Sequence, residues 1–78
     1  MTNLNKYDRI FKEVFVIEYN NLTKLNYQSI EAWDSVGHMG LIASLEEAFE
    51  IMMDMDDIIE FSSYEKGKEI LKNYEVTI

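Results

Sequence analysis

The feature that most constrains this chain is the spacing of its apolar residues between positions 35 and 50. They recur every three or four positions, at Val36, Met39, Ile42, Leu45 and Phe49. This is the period of one face of an α-helix. Asp34 and Ser35 stand at its start and are both good N-caps, so a helix is predicted over about 35–50. Gly37 and Gly40 each cost roughly 1 kcal/mol of helix propensity relative to alanine, so we expect the first turn to be the least stable.

The first part of the chain predicts another amphipathic helix. Its apolar residues include the helically spaced series Leu4, Tyr7, Phe11 and Val14. We expect this helix to run to about Glu18 and to end at Asn20-Asn21, since asparagine tolerates the left-handed conformation found at helix C-termini. Residues 20–33 have no sustained period. They are predicted to form a long loop that packs over the core through its apolar residues.

Two further helices are predicted in the last third of the chain. Three aspartates, Asp54, Asp56 and Asp57, precede a short apolar cluster and predict a brief helix that begins near residue 56. Ser62 with Glu65 three residues later is a capping-box pattern. A 3-4-3 spacing of apolar residues and glycine then predicts a last helix that runs to about Asn73.

These segments together predict an all-α fold with no strand. We expect one domain over residues 1–78, a four-helix bundle of three longer helices and one short helix. Hydrophobic residues make up 47% of the chain, which is enough for a core and argues against disorder. The candidate core residues are Met39, Ile42, Leu45, Phe49, Ile58, Ile59, Phe61 and Leu71.

Composition and charge exclude several functions. The chain has no cysteine and one histidine, so neither a disulfide nor an ordinary zinc site is expected. Residues 31–60 contain nine acids and no Lys or Arg, whereas the flanking thirds are nearly neutral. This acidic middle third disfavours nucleic-acid binding and favours a partner with a basic patch. No apolar run is long enough to span a bilayer, and we expect a monomeric cytoplasmic protein.

One stretch carries a chemical signature. It reads Asp34-Ser35-Val36-Gly37-His38-Met39 and continues to Leu45-Glu46-Glu47-Ala48-Phe49. This pattern, with the long loop before it and the acidic turn after it, resembles the acyl carrier protein family over nearly the whole chain. The resemblance implies an acyl-carrier bundle in which the serine after the aspartate accepts 4′-phosphopantetheine from coenzyme A. That serine is Ser35.

The resemblance also implies roles for the neighbouring residues. Asp34 would help a phosphopantetheinyl transferase to recognise the site, and Val36 would be an apolar contact for partner enzymes. Glu46 and Glu47 match the acidic pair that docks onto basic patches. The three aspartates Asp54, Asp56 and Asp57 would extend this acidic face. Each residue also has a purely structural interpretation, as a helix cap, a core residue or a solvated charge.

Two positions depart from the pattern of carriers in bulk fatty-acid synthesis. Gly40 stands where those carriers often have an acid, and Trp33 replaces a small residue. Trp-Asp-Ser is more similar to stand-alone carriers of specialised pathways. The expected cargo is therefore open among fatty acids, polyketide units, amino acids and cell-surface sugar modifications. The loading ligases or synthases are equally open.

Elementary chemistry agrees with a modification at Ser35. A helix N-terminus exposes a side chain, and its unpaired amides and dipole favour a phosphodiester, although the adjacent Asp34 repels it.

A serine hydrolase is the first competing hypothesis, because Ser35 and His38 lie three apart on a helix. However, the only histidine is expected on an exposed first turn, as a surface polar residue that offers a nucleophile little shelter.

Two other functions compete with that of a carrier. Asp54, Asp56 and Glu65 fall at positions 1, 3 and 12 of a calcium-binding loop, but Ile58 and Ile59 occupy the positions that need an oxygen ligand and a glycine. This rejects an EF-hand and leaves only weak, diffuse cation binding open. The serious alternative is an unmodified acidic interaction module. In both interpretations the chain itself is expected to catalyse nothing.

Overall fold

Four α-helices follow one another in the computed structural model, which describes residues 2–17 and 22–78. They are α1 (Asn3–Phe15), α2 (Ser35–Phe49), α3 (Met55–Glu60) and α4 (Tyr64–Lys72), with a single 3₁₀ turn at Leu22–Lys24. In these ranges there is no strand, only an isolated antiparallel bridge between Asn26 and Ser63. The predicted all-α class, with three longer helices and one short helix, is confirmed.

Side-chain caps fix where three of the helices begin. The Thr2 hydroxyl accepts from the Asn5 amide at 3.1 Å at the start of α1. The Asp34 carboxylate accepts from the Gly37 amide at 2.8 Å at the start of α2. The capping box predicted at Ser62 and Glu65 is wrong by one residue: Ser63 is the cap of α4, and its hydroxyl accepts from the Lys66 amide at 3.0 Å.

The first helix ends earlier than expected, at Phe15 rather than near Glu18. Val16 turns into the left-handed conformation with φ 52°, and the Ile17 amide donates back to the Lys12 carbonyl at 3.0 Å. The half-buried Ile17 packs against the core, which explains the turn. The termination predicted at Asn20-Asn21 lies outside the described residues. α2 ends in the same way through Glu50, at φ 54°.

The core lies between α1, α2 and α4 and is rich in aromatic rings. Tyr7, Phe11 and Phe15 follow one another every four residues on the buried face of α1. Phe11 contacts the loop residue Trp33 with ring centroids 5.5 Å apart, and both side chains are fully buried. The other buried members are Leu22, Leu25, Leu41, Ile42, Leu45, Met53, Phe61, Tyr64, Ile70, Leu71 and Val76.

The predicted core is only partly correct. Ile42, Leu45, Phe61 and Leu71 are buried, and Phe49 and Ile58 are half-buried against the core. Met39 and Ile59 were expected in the core, and this is wrong, because they are 57% and 70% exposed. Helical spacing places a residue on the correct side of its own helix. It does not say whether another element covers that side.

The loop before α2 is held onto the bundle by both its side chains and its backbone. Leu25 and Trp33 are buried, which confirms that the loop packs over the core. The Tyr27 amide donates to the Ser62 carbonyl at 2.8 Å, and the Tyr64 amide donates to the Leu25 carbonyl at 3.0 Å. The loop is therefore fixed to the segment that joins α3 and α4.

The first and last helices approach each other closely at Gly67. A Cβ atom at Gly67 would lie 2.2 Å from the Tyr7 hydroxyl oxygen and as close to the Phe61 ring. This hydroxyl donates to the Tyr64 carbonyl at 2.7 Å, inside the protein. None of the helices in residues 2–17 and 22–78 is long and apolar enough to cross a membrane.

Candidate modification site

Ser35 is the first residue of α2 and is exposed to solvent. The cap of the helix is Asp34, so the Ser35 hydroxyl is not needed for capping. The His38 amide donates to the Asp34 carbonyl at 2.8 Å, which begins the regular helical pattern. The structure thus places Asp34, Ser35 and the exposed Val36 together at one end of α2.

The side chain of Ser35 shares a hydrogen bond with a residue of the preceding loop. The Tyr27 hydroxyl lies 3.2 Å from the Ser35 Oγ, and either atom could donate the hydrogen bond. Tyr27 was not predicted as a site residue, because its place depends on how a loop closes over the core. The signal that could have found it is weak: an aromatic residue within a polar stretch directly before the motif.

An apolar cavity of about 370 Å³ opens beside Ser35, between α2, α3 and the loop. It is lined by Tyr27, Ser35, His38, Met39, Met55, Ile58, Ile59, Phe61 and Ser62. Four of these residues were expected in the core, and they line this space instead: Met39, Ile58, Ile59 and Phe61. Ser35 and these apolar side chains therefore border the same cavity.

His38 differs from its expected role as a surface polar residue, and that expectation is wrong. Its ring is half-buried, and the Trp33 indole N–H donates to its Nδ1 at 3.0 Å. Its Nε2 lies 2.8 Å from the Ile58 carbonyl oxygen. Since Nδ1 accepts, this geometry requires the neutral tautomer with the proton on Nε2. Both ring nitrogens are thus in use, which leaves none to activate Ser35 as a hydrolase requires.

Four exposed apolar side chains surround the site. Val36 and Met39 belong to α2, and Met55 and Ile59 belong to α3. All four are large hydrophobic residues, and three of them also line the cavity. We call this group the apolar rim. Because exposed apolar groups of this kind bury surface when a partner docks, the rim is a candidate contact surface.

The acidic pair of α2 lies at the far end of the helix from Ser35. Glu47 is exposed and, at 1.5 Å per residue, about 18 Å along the helix axis from the serine. Glu46 is half-buried, and its carboxylate accepts from the Met53 amide at 2.9 Å. Of the two predicted docking residues, Glu46 thus stabilises the turn after α2 through its carboxylate. Glu47 is exposed to solvent.

The aspartates of α3 are similarly divided. Asp54 and Asp56 are exposed, whereas Asp57 accepts a hydrogen bond from the Tyr74 hydroxyl. This hydrogen bond raises the pKa of Tyr74 above its ordinary value. The Tyr74 oxygen in turn accepts from the Asp54 amide at 2.9 Å. In the part of the chain that the structure describes, no three His, Cys, Asp or Glu side chains converge on a metal site.

Comparisons of the chain with family models, with curated proteins and with solved structures gave no match. The interpretation of the site therefore rests on its geometry and on the sequence motif.

Proposed function

We propose that the chain is a carrier protein that bears a 4′-phosphopantetheine arm on Ser35. The observation that carries this proposal is the position of the Ser35 hydroxyl. It is exposed on the first turn of α2, it is not used as the cap, and it lies at the mouth of an apolar cavity. The Asp34-Ser35-Val36 motif, which resembles that of acyl carrier proteins, supports the same assignment.

Attachment of the arm is a transfer from coenzyme A that a separate transferase catalyses. The Ser35 Oγ forms a bond to the phosphorus that carries pantetheine. The bond from this phosphorus to the adenosine bisphosphate part of coenzyme A breaks, and the serine proton is released. No oxidant or reductant is needed. Asp34, directly before the serine, is the residue that we assign to recognition by the transferase.

The residues around Ser35 fit such a group. A phosphodiester at the N-terminus of α2 would meet the positive end of the helix dipole and the free amides of the first turn. The cavity begins at the serine and is lined mainly by apolar side chains, so it suits an aliphatic or mixed arm. When bound, the arm supplies a thiol that holds an acyl, aminoacyl or related group as a thioester.

The role of the protein in this proposal is to hold and present the cargo without catalysis. A covalent tether keeps the intermediate at high effective concentration near each partner active site. The natural partners are the transferase and the ligases or synthases of fatty-acid, polyketide or another specialised biosynthesis. Residues 25–65 contain no Lys or Arg, so partners with basic patches would complement this surface.

A second candidate function is an unmodified acidic interaction module. The observation in its favour is the apolar rim, which is exposed whether or not Ser35 is modified. With Glu47, Asp54 and Asp56 also exposed, the rim suits a partner that combines apolar and basic side chains. Only modification of Ser35 separates this function from that of a carrier.

The test is the intact mass of the folded protein after incubation with coenzyme A and a broad-specificity phosphopantetheinyl transferase. We expect the wild type and Ser62→Ala, which changes another hydroxyl at the same cavity, to gain one phosphopantetheine group. Ser35→Ala should gain none. Because Asp34 and not Ser35 caps α2, Ser35→Ala should keep its stability within about 0.5 kcal/mol.

An unmodified wild type would contradict the carrier proposal, provided that a control carrier protein is modified in the same reaction. The unmodified interaction module would then become the better account. Modification of Ser35→Ala would show that the arm is attached to another residue.

A further inference from the structure

Tyr27 is held in a defined position beside the modification site. Its amide donates to the Ser62 carbonyl, and the neighbouring Asn26 bridges to Ser63. Its ring packs edge-on against His38, with centroids 5.4 Å apart and an interplanar angle of 72°. Its backbone and its ring are therefore both fixed, and its hydroxyl lies 3.2 Å from the Ser35 Oγ.

A phosphodiester on Ser35 would need a hydrogen-bond donor, and the Tyr27 hydroxyl is placed to be one. A phosphodiester on Ser35 would carry a negative charge next to the Asp34 carboxylate, and none of the residues that line the cavity is a Lys or Arg. The arm therefore needs neutral hydrogen-bond donors nearby. Besides the serine itself, the polar side chains that line the cavity are Tyr27, His38 and Ser62. Both ring nitrogens of His38 are already hydrogen-bonded, and the Tyr27 hydroxyl is hydrogen-bonded to Ser35.

We propose that the Tyr27 hydroxyl donates a hydrogen bond to the phosphodiester on Ser35 and directs the arm into the cavity between α2 and α3. This inference rests on the proposed function. Once Ser35 is esterified, its Oγ has no proton and is a poorer acceptor than the charged oxygens on the phosphorus to which it is bonded. The Tyr27 hydroxyl would exchange a neutral partner for a charged one, which strengthens the hydrogen bond.

Tyr27 is thus a positioning residue that acts on the direction of the arm. Its ring forms part of the cavity lining, next to Ser35. An arm bonded at this point would start along the apolar lining and pass Met39 and Met55, which line the cavity and are exposed to solvent. Without the hydroxyl, the charged phosphodiester is expected to turn away from Asp34 and towards water, and the arm with it.

The experiment compares the arm-bearing forms of the wild type, Tyr27→Phe and the matched variant Ser62→Ala. Tyr27→Phe keeps the ring and removes one oxygen, and Ser62→Ala removes a hydroxyl from the same cavity without touching the Tyr27–Ser35 pair. The readouts are the ³¹P resonance of the phosphodiester and the methyl resonances of Met39 and Met55 before and after modification. Intact mass confirms that each protein is modified, and circular dichroism confirms that it is folded.

We expect the ³¹P resonance of Tyr27→Phe to shift away from that of the wild type, and the change in the two methionine signals on modification to be lost. Ser62→Ala should match the wild type. If Tyr27→Phe is modified and gives the wild-type resonances, the inference about Tyr27 is overturned and the carrier proposal stands. If the wild type is never modified, both fail. In the wild type alone, nuclear Overhauser contacts between the arm and the Tyr27 ring support the inference, and their absence overturns it.

Discussion

At Gly37 the first turn of α2 lies close against the backbone that precedes Ser35. A Cβ atom there would lie 1.9 Å from the Ala32 carbonyl oxygen, which is backbone and has little freedom to move. We therefore expect Gly37→Ala to destabilise the protein by about 1–3 kcal/mol, in spite of the higher helix propensity of alanine. Urea unfolding followed by circular dichroism measures this change.

Gly40, in the same helix, is the matched control. A Cβ atom there meets only a Val14 methyl carbon at 3.9 Å, an ordinary contact. Gly40→Ala should therefore stabilise the protein by roughly 0.5–1 kcal/mol. Equal effects of the two substitutions would show that propensity alone matters and that the approach of Ala32 is not constraining.

Sequence reasoning at the residue scale succeeded where the signal was local. Asp34 and Ser35 could be placed at a helix N-terminus because caps lie within a few residues of what they bind. Tyr27 and His38 could not be placed, because their partners depend on the closure of a loop. His38 binds a carbonyl twenty positions away, in a separate helix. No periodicity or motif specifies such a contact.

α3 is the least anchored of the helices. It is six residues long, and none of its side chains is buried. It is held by the His38–Ile58 hydrogen bond and by Tyr74, which binds the Asp57 side chain and the Asp54 amide. Helices of this length are not stable alone, so these contacts, with the half-buried Ile58, account for its position.

Removal of the His38 side chain should loosen α3 selectively. We expect His38→Ala to raise amide hydrogen exchange in Met55–Glu60, with the local opening free energy reduced by about 1–3 kcal/mol, because the Ile58 carbonyl and the Trp33 indole lose their partner. Exchange measured by mass spectrometry at peptide level tests this. Glu47→Gln changes an exposed residue of α2, the helix that carries His38, and should leave the exchange of α3 unchanged. Unaltered exchange of α3 in His38→Ala would show that the hydrogen bond does not hold the helix.

Periodicity predicted the helices better than their ends. The predicted bounds of α2 were correct to within one residue, because a strong apolar period is combined there with a cap. α1 ended early because Ile17 packs back onto the core, which is a tertiary effect. α4 began one residue late because Ser62 and Ser63 are equally good caps by type. In the structure the Ser62 carbonyl accepts from the Tyr27 amide, and Ser63 is the cap.

At the scale of the whole molecule, two buried tyrosines join the first helix to the last. Burial raises the pKa of Tyr7, and the neighbouring Tyr64 and Asp8 raise it further. Burial also raises the pKa of Tyr64, as does the hydrogen bond that its hydroxyl donates to the Asp8 carboxylate. Both tyrosines therefore hold their protons more tightly in the folded protein than in the unfolded chain.

This difference predicts alkaline unfolding. Below about pH 10, the ordinary pKa of tyrosine, these hydroxyls are protonated in both the folded and the unfolded protein, and the full stability is present. Above it the unfolded chain loses protons that the folded protein keeps, so stability falls by up to about 1.4 kcal/mol per pH unit for each such tyrosine. Tyr7→Phe should make this slope shallower, although it lowers stability at neutral pH by removing the buried hydrogen bond from the Tyr7 hydroxyl to the Tyr64 carbonyl. Urea midpoints at several pH values test this, and an identical slope in the variant would exclude Tyr7 as a cause.

The single tryptophan of the chain gives the molecule an internal optical reporter. Trp33 is fully buried, its ring is stacked on Phe15 at 5.2 Å, and its N–H is bonded to the imidazole that also holds α3. It is also two positions from Ser35 in the chain. Its fluorescence therefore reports on the region where the loop, α2 and α3 meet. In unlabelled protein, the wavelength or intensity of this emission should change when that region opens or when a group binds beside it.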